Sequence, residues 1–217
     1  QRSTELFQQS AFRAKINSNM ASELFVDNIT GKTGTSGGAP ITLSGDTATL
    51  SGTGVTFPTG HIIQVKSTTK TDTTSRANSN TSTDYADISG MSVSITPKSN
   101  SKVFVSAMLS ITGREVYMMS YRLVRDSTPI CIGDQGTSAQ ARPTGAHRPF
   151  SQYVAISLPI SFLDTSPGGD GSTSLTYKVQ WDGENGGTMY LNRPQTEVDR
   201  YDFGITASTI TVMEIAG

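Results

Sequence analysis

Residues 91–110 read "MSVSITPKSNSKVFVSAMLS", and the way they are read decides the fold. Met91, Val93 and Ile95 alternate with serine and threonine, a polar interval follows over Lys98–Ser101, and Val103, Val105, Ala107 and Leu109 then resume the alternation. A period of two puts successive side chains on opposite faces, so each run is a strand with one packed and one polar face. Nothing in the stretch carries chemistry. It is scaffold, and its pattern recurs through most of the chain.

The same reading holds for "VYMMSYRLV", for "SQYVAISLPISFL", for "SLTYKVQW" with Leu175, Tyr177, Val179 and Trp181 aligned, and for "STITVMEI". Clusters rich in Gly, Pro, Asn, Asp and Ser separate the runs: "PKSNS", "TGRE", "GDQG", "SPGGDG" and "DGENGG". The last is expected to close a hairpin, with Trp181 entering and Met189 leaving. Past residue 60 no cap is followed by a run of helical period. Seven to ten short strands with turns between them predict an all-β fold, an antiparallel β-sandwich of jelly-roll type over residues 61–217. Residues 67–84, "STTKTDTTSRANSNTSTD", have no hydrophobic face and fit either a loop or a polar edge strand blunted by Lys and Asp.

The first 60 residues differ. Residues 1–19 carry apolar positions at mixed spacing, loosely compatible with a short amphipathic helix, and Met20 reads like an ordinary start of translation, so they are treated as an uncertain N-terminal extension. Residues 20–60 form a glycine-rich arm or stalk in which Ile41, Leu43, Leu50, Val55 and Phe57 are the apolar points. Gly45, Gly52 and Gly54 interrupt it too often for an independent sheet, which predicts that these five side chains find their partners in other copies of the chain.

Of the 217 residues, 17 are Lys or Arg and 18 Asp or Glu, for a net charge of −1, and no basic run supplies the field that nucleic acid or an anionic membrane requires. No apolar run reaches the roughly 18 residues of a bilayer span, so no membrane insertion is expected. The one cysteine, Cys131, lies in the apolar run "TPICIG" and reads as a buried thiol acting as a small hydrophobe.

Each chemical candidate fails on a stated ground. Ser36 in "GTSGG" fits the nucleophile-elbow spacing but lacks the strand before and the helix after it. His61 and His147 stand far apart without neighbouring acids or thiols, so no metal site is expected. Asp170, Asp182 and Glu184 sit in glycine-rich loops that resemble turns more than calcium loops. The sequons at Asn28 and Asn80 matter only in a glycosylating pathway. No catalytic residue and no cofactor is expected.

Two loops remain as contact surfaces. Residues 133–150 form a long connection bearing Arg142, His147 and Arg148 beside two prolines. Residues 181–204 bring Trp181, Glu184, Tyr190, Arg193 and Tyr201 near polar tips. Trp181 and Tyr190 also fit a position packed under the rim of the sandwich, and for Trp181 that position is favoured.

The phrases "MASELFVDNITGKTG", "ITLSGDTATLSGTG", "DISGMSVSITPKSNSKVFVSAML", "YRLVRDSTPI" and "STITVMEIAG" resemble a family of short virion proteins of marine tailed bacteriophages, described as tail-fibre-like or virion structural proteins. The resemblance spans about residues 20–217. It implies a homotrimer on the phage particle, attached to other virion proteins through its N-terminal segment and carrying a compact β-sandwich head, with no catalytic residues. The expected function is a non-enzymatic fibre or spike subunit that adsorbs to a carbohydrate or protein on the host surface. The alternative is a trimeric capsid decoration or cement protein. A shaft of about thirty residues at ~3.3 Å each reaches at most roughly 100 Å, so the fibre would be short. A depolymerising tailspike would need a pair of exposed carboxylates, and Asp182 and Glu184 are the only sequence neighbours on offer.

Overall fold

A computed structural model describes residues 57–78, 84–136, 140–196, 201 and 203–217, together with the backbone of three short strands before them. The chain divides into two units, residues 1–56 and Phe57–Gly217. In the first unit, β1 (Asn28–Ile29), β2 (Ile41–Ser44) and β3 (Thr47–Leu50) pair antiparallel in that order, with Ile41 opposite Leu50 and Leu43 opposite Ala48. The extended pieces expected there thus pair within the chain. The expected helix in residues 1–19, Ser36, Val55, Asn80 and the side chains of Asn28, Ile41, Leu43 and Leu50 lie outside the described residues. Phe57, read as the last stalk position, opens the second unit and stacks on His61, with ring centroids 4.7 Å apart.

The second unit holds β4 (Ile62–Lys70), β5 (Thr74–Ala77), β6 (Ala86–Ile95), β7 (Lys102–Gly113), β8 (Met119–Arg125), β9 (Thr128–Ile130), β10 (Gly145–His147), β11 (Ile156–Asp164), β12 (Leu175–Gly183), β13 (Thr188–Leu191) and β14 (Ser208–Ile215). They form two antiparallel sheets packed as a sandwich. The smaller runs β10-β8-β12-β6 with β9 also on β8, and the larger runs β4-β14-β7-β13-β5 with β11 also on β7. The segment 67–84 resolves into the end of edge strand β4 and the short edge strand β5, with residues 79–83 outside the described ones.

The alternation read from residues 91–110 fills the core. Met91, Val93 and Ile95 of β6 and Leu175, Tyr177, Val179 and Trp181 of β12 face Val103, Val105, Ala107, Leu109 and Ile111 of β7 and Ile210 and Val212 of β14. The two strands of that stretch belong to different sheets, so the polar interval between them is an arch over the edge of the core. A buried carboxylate holds it. Glu214, 0% exposed on the inward face of β14, accepts from Lys98 N at 2.7 Å, from Ser101 Oγ at 2.6 Å and from Gln64 Nε2 at 2.6 Å.

One sequence expectation is corrected here. "DGENGG" does not close a hairpin, because β12 pairs with β6 and β8 while β13 pairs with β5 and β7. The chain crosses from one sheet to the other at Gly183–Gly187. Turn composition marks where a strand ends, and the same Gly and Asn serve an arch as well as a hairpin.

Strand β7 is longer than any of its partners. β11 covers one of its edges, and β14 and β13 share the other end to end. The joint between them is filled by Asn192, fully buried at a φ of 63°, a left-handed conformation that Asn tolerates better than most residues. Its backbone N donates to Ser110 O at 2.8 Å, its Nδ2 donates to the carbonyls of Lys70 and Asp72, and its Oδ1 accepts from Ser208 Oγ. Ser208 Oγ in turn accepts from Ser110 N. A second polar tie crosses the sandwich: Asp164 of β11 accepts from Arg125 of β8 at 2.5 Å and from the buried Tyr177 hydroxyl of β12 at 2.9 Å. Burial, and then the Asp164 carboxylate, push the Tyr177 pKa far up and keep the phenol protonated.

The outward faces of the sheets differ in charge. Across β4, β14, β7 and β11 the larger sheet presents three rows in register: Val65–Met213–Phe104–Leu163, Ser67–Thr211–Ser106–Ser161, and Thr69–Thr209–Met108–Pro159. None of these side chains is charged, and Lys102 lies at the end of the face. The smaller sheet turns Asp87, Lys178, Gln180 and Arg122 outward.

Asn192→Ala is expected to lower stability by about 2–4 kcal/mol, since it strips several buried hydrogen bonds at once and leaves two carbonyls unpaired. Chemical denaturation measures it, and a loss below about 0.5 kcal/mol, the usual range of a surface substitution, would remove the joint from the structural account. Glu214 sets a pH dependence. Burial alone would push its carboxyl up, but the donors from Ser101, Gln64 and the Lys98 backbone outweigh burial and hold it below the ordinary value of 4.5. Its folded pKa therefore lies below its unfolded one. Its stabilising contribution is present in full above the unfolded value and lost as pH falls through the folded one. The wild type should lose stability progressively below about pH 4.5, and Glu214→Gln, destabilised by about 1–3 kcal/mol at pH 7, should lose less on acidification. Equal acid slopes in the two proteins would assign the effect to other carboxylates.

Candidate functional site

After β9, Cys131 at a φ of 54° turns the chain off the smaller sheet, and it returns as β10 along the same edge of β8 that β9 occupies. The Cys131 side chain packs half-buried against the core, and burial pushes its thiol pKa up, so it behaves as the small hydrophobe its sequence context suggests. Thr144 fixes the returning end. Its N donates to Tyr121 O at 2.9 Å and its Oγ1 accepts from Leu123 N at 2.8 Å, which continues the pairing of β8 between β9 and β10. Gly145 leaves room for the Tyr121 ring, since a Cβ there would press on its hydroxyl end and force the ring to move.

Beside this segment the outward face of the smaller sheet carries a continuous polar network. Arg122 donates to Gln180 at 2.8 Å, and Gln180 and Lys178 both donate to Asp87, at 2.6 and 2.8 Å. Burial would raise the Asp87 pKa, but the Lys178 and Gln180 donors outweigh it and hold it low. The Arg122 guanidinium stands 4.0 Å from the centre of the Tyr85 ring, and the Tyr85 hydroxyl meets Ser120 Oγ at 3.0 Å. Asp182 closes the row, its two carboxylate oxygens accepting from Asp84 N and Gly183 N at 2.9 Å each.

Two cavities lie over this face. The larger, about 760 Å³, has Met119, Pro143 and Ala146 among its apolar lining and Asp134, Arg148, Asp182 and Glu184 as charged lining. The smaller, about 330 Å³, lies among Tyr85, Arg122, Pro129, Ile132 and Arg142. Gln140 and Ala141 line both. Arg142 is held by a 2.6 Å bond from its Nε to Gly133 O, so the loop braces itself.

The sequence-derived contact residues divide among five places. Arg142, Arg148 and Glu184 come together around these cavities. Trp181 does not: it is 3% exposed in the core, because the inward phase of β12 that buries Leu175, Tyr177 and Val179 carries on to it. His147 pairs in register with Met119, its Nε2 buried without a hydrogen-bond partner among the described residues, and burial lowers its pKa so that it stands neutral. Tyr190 and Arg193 stack on each other at 4.6 Å, with Tyr190 paired to Thr112 and Ser75 of the larger sheet. Tyr201 is fully exposed.

Tyr85, Arg122, Gln180 and Asp134 were not singled out from sequence. Arg122 and Gln180 were legible as the outward phase beside Leu123 and Val179, a phase read only as polar, whereas Tyr85 lies just before β6. Asp170 closes its own turn by accepting from the backbone N of Ser172 and Thr173 and from the Thr173 hydroxyl, which also holds its pKa low. No protein-family model matches this chain, and no curated protein is similar to it.

Thr144→Val keeps the shape of the side chain and removes the acceptor for Leu123 N. It should speed amide hydrogen exchange across residues 132–147 while lowering global stability by only about 1 kcal/mol. Unchanged exchange there would mean that Thr144 does not anchor the loop.

Proposed function

We propose that this chain is a non-enzymatic bacteriophage virion structural protein, a fibre or spike subunit that assembles as a homotrimer and adsorbs to a host-surface receptor through the head. The observation that carries the proposal is the cavity of about 760 Å³ over the smaller sheet, where Arg148, Glu184 and Asp134 stand beside Met119, Pro143 and Ala146. Charged acceptors and donors next to an apolar wall suit a saccharide, which offers hydroxyls on its edges and C–H groups on its faces. The resemblance over residues 20–217 supports the virion setting. Two of the three carboxylates lining the cavity are already engaged, which favours binding over hydrolysis: both Asp182 oxygens hold backbone N–H groups, and Glu184 Oε2 accepts from Met118 N at 3.0 Å.

The test is binding of fluorescently labelled protein to the host bacterium. Arg148→Ala together with Glu184→Ala should cut binding at least tenfold while lowering stability by no more than about 1 kcal/mol, since both side chains are exposed and only the Glu184 bond to Met118 N is lost. Undiminished binding by the double variant would exclude the cavity as the receptor site. Antibody labelling of particles should find tens of copies on the tail; hundreds on the head would make the protein a decoration subunit instead.

A further inference from the structure

The three outward rows of the larger sheet form a face that no other described strand covers, with an unusual composition. The first row, Val65–Met213–Phe104–Leu163, is apolar across four adjacent strands, with Val65 52% and Leu163 40% exposed. The second row is hydroxyl from end to end, and Ser67 Oγ meets Thr211 Oγ1 at 2.8 Å. No charge stands on any of the three rows in a chain with 17 basic and 18 acidic side chains. Exposed sheet faces are ordinarily kept polar and charged, as the other face of this sandwich is.

We infer that this face is where the heads of neighbouring copies of the chain meet. Turned toward a threefold axis, a neutral face meets its two copies with no like charges to separate, and serine and threonine hydroxyls both donate and accept, so the second row can pair with its own kind near that axis. Area selects the partner. Four strands at ~4.8 Å spacing and three rows at ~6.8 Å give a footprint of about 400 Å². Free-standing complexes use roughly 800 Å² per partner, so the face holds a partner that is also tethered elsewhere. A second copy joined through its N-terminal unit meets that condition, and an untethered soluble protein does not. This inference rests on the oligomeric part of the function proposed above.

The test uses the full chain with Cys131→Ser and a single reporter cysteine at Ser106→Cys, in the middle row, or at Ser94→Cys on the outward face of the smaller sheet as control. Thiol-labelling rates are read beside the mass from light scattering. In the oligomer the cysteine at position 106 should label at least tenfold more slowly than the control, and dilution to monomer should bring the rates together. Equal rates in an intact oligomer would overturn this inference and leave the fibre reading standing. A protein monomeric at all concentrations would overturn the inference and the trimer together. Protection of position 106 that persists in the monomer would assign the face to the chain's own N-terminal unit, and would also overturn it.

Discussion

Strand β7 runs from Lys102 to Gly113, and one of its edges must be completed by two strands that arrive from different places in the sequence. β13 comes directly out of the smaller sheet across the core, and β14 comes in after residues 192–207. Where they meet, several backbone groups are left without a strand partner in a region that water does not reach. Asn192 resolves this with one side chain, because its amide presents two donors and an acceptor in a plane. It takes up the Lys70 and Asp72 carbonyls at the end of β4 and the Ser208 hydroxyl at the start of β14. An apolar residue there would leave those carbonyls dry, and a longer polar one would not fit the turn that the left-handed backbone makes. The larger sheet is continuous because this joint closes.

The same economy recurs on the other sheet, where β9 and β10 share an edge of β8 and Thr144 fills the interval. In both cases one edge of a strand is completed by two strands placed end to end, and a single polar side chain satisfies backbone groups between them. The consequence for the site is direct. Because Thr144 and β10 pin the far end of the connection that leaves at Cys131, Asp134, Gln140 and Ala141 of that connection line the cavities over the smaller sheet.

How much of this is legible in the sequence depends on the kind of regularity involved. Alternation over Met91–Ile95, Val103–Leu109 and Leu175–Trp181 is local, and it placed these residues in the core correctly. Partner choice is not local. "DGENGG" has hairpin composition, yet it spans two sheets, because which strand pairs with which is set by the burial of both faces together. Glu214 shows a related limit: it occupies the core phase of β14 with Ile210 and Val212, and only the arch at Lys98–Ser101, over a hundred residues earlier, explains an acid there. Arg148 and Glu184 were legible as loop residues with binding chemistry, but their meeting at one cavity follows from the cross-sheet path and from β10.

The two outward faces carry the functional asymmetry. On the smaller sheet, Asp87, Lys178, Gln180 and Arg122 are locked into one another, so their charges are largely spent within the network and the free polarity lies at the cavity lining. Such an arrangement favours selective contact with a small polar ligand over general electrostatic attraction, in keeping with a chain of net charge −1. On the larger sheet the absence of charge from the three rows removes the usual barrier to face-to-face association, and edge strand β4 bears the exposed Lys66, which discourages a further strand from adding to that edge. The fold thereby directs association to a face and away from an edge. Contact between faces turned toward one symmetry axis closes an assembly at a fixed number of copies, whereas strand addition at an edge extends without limit.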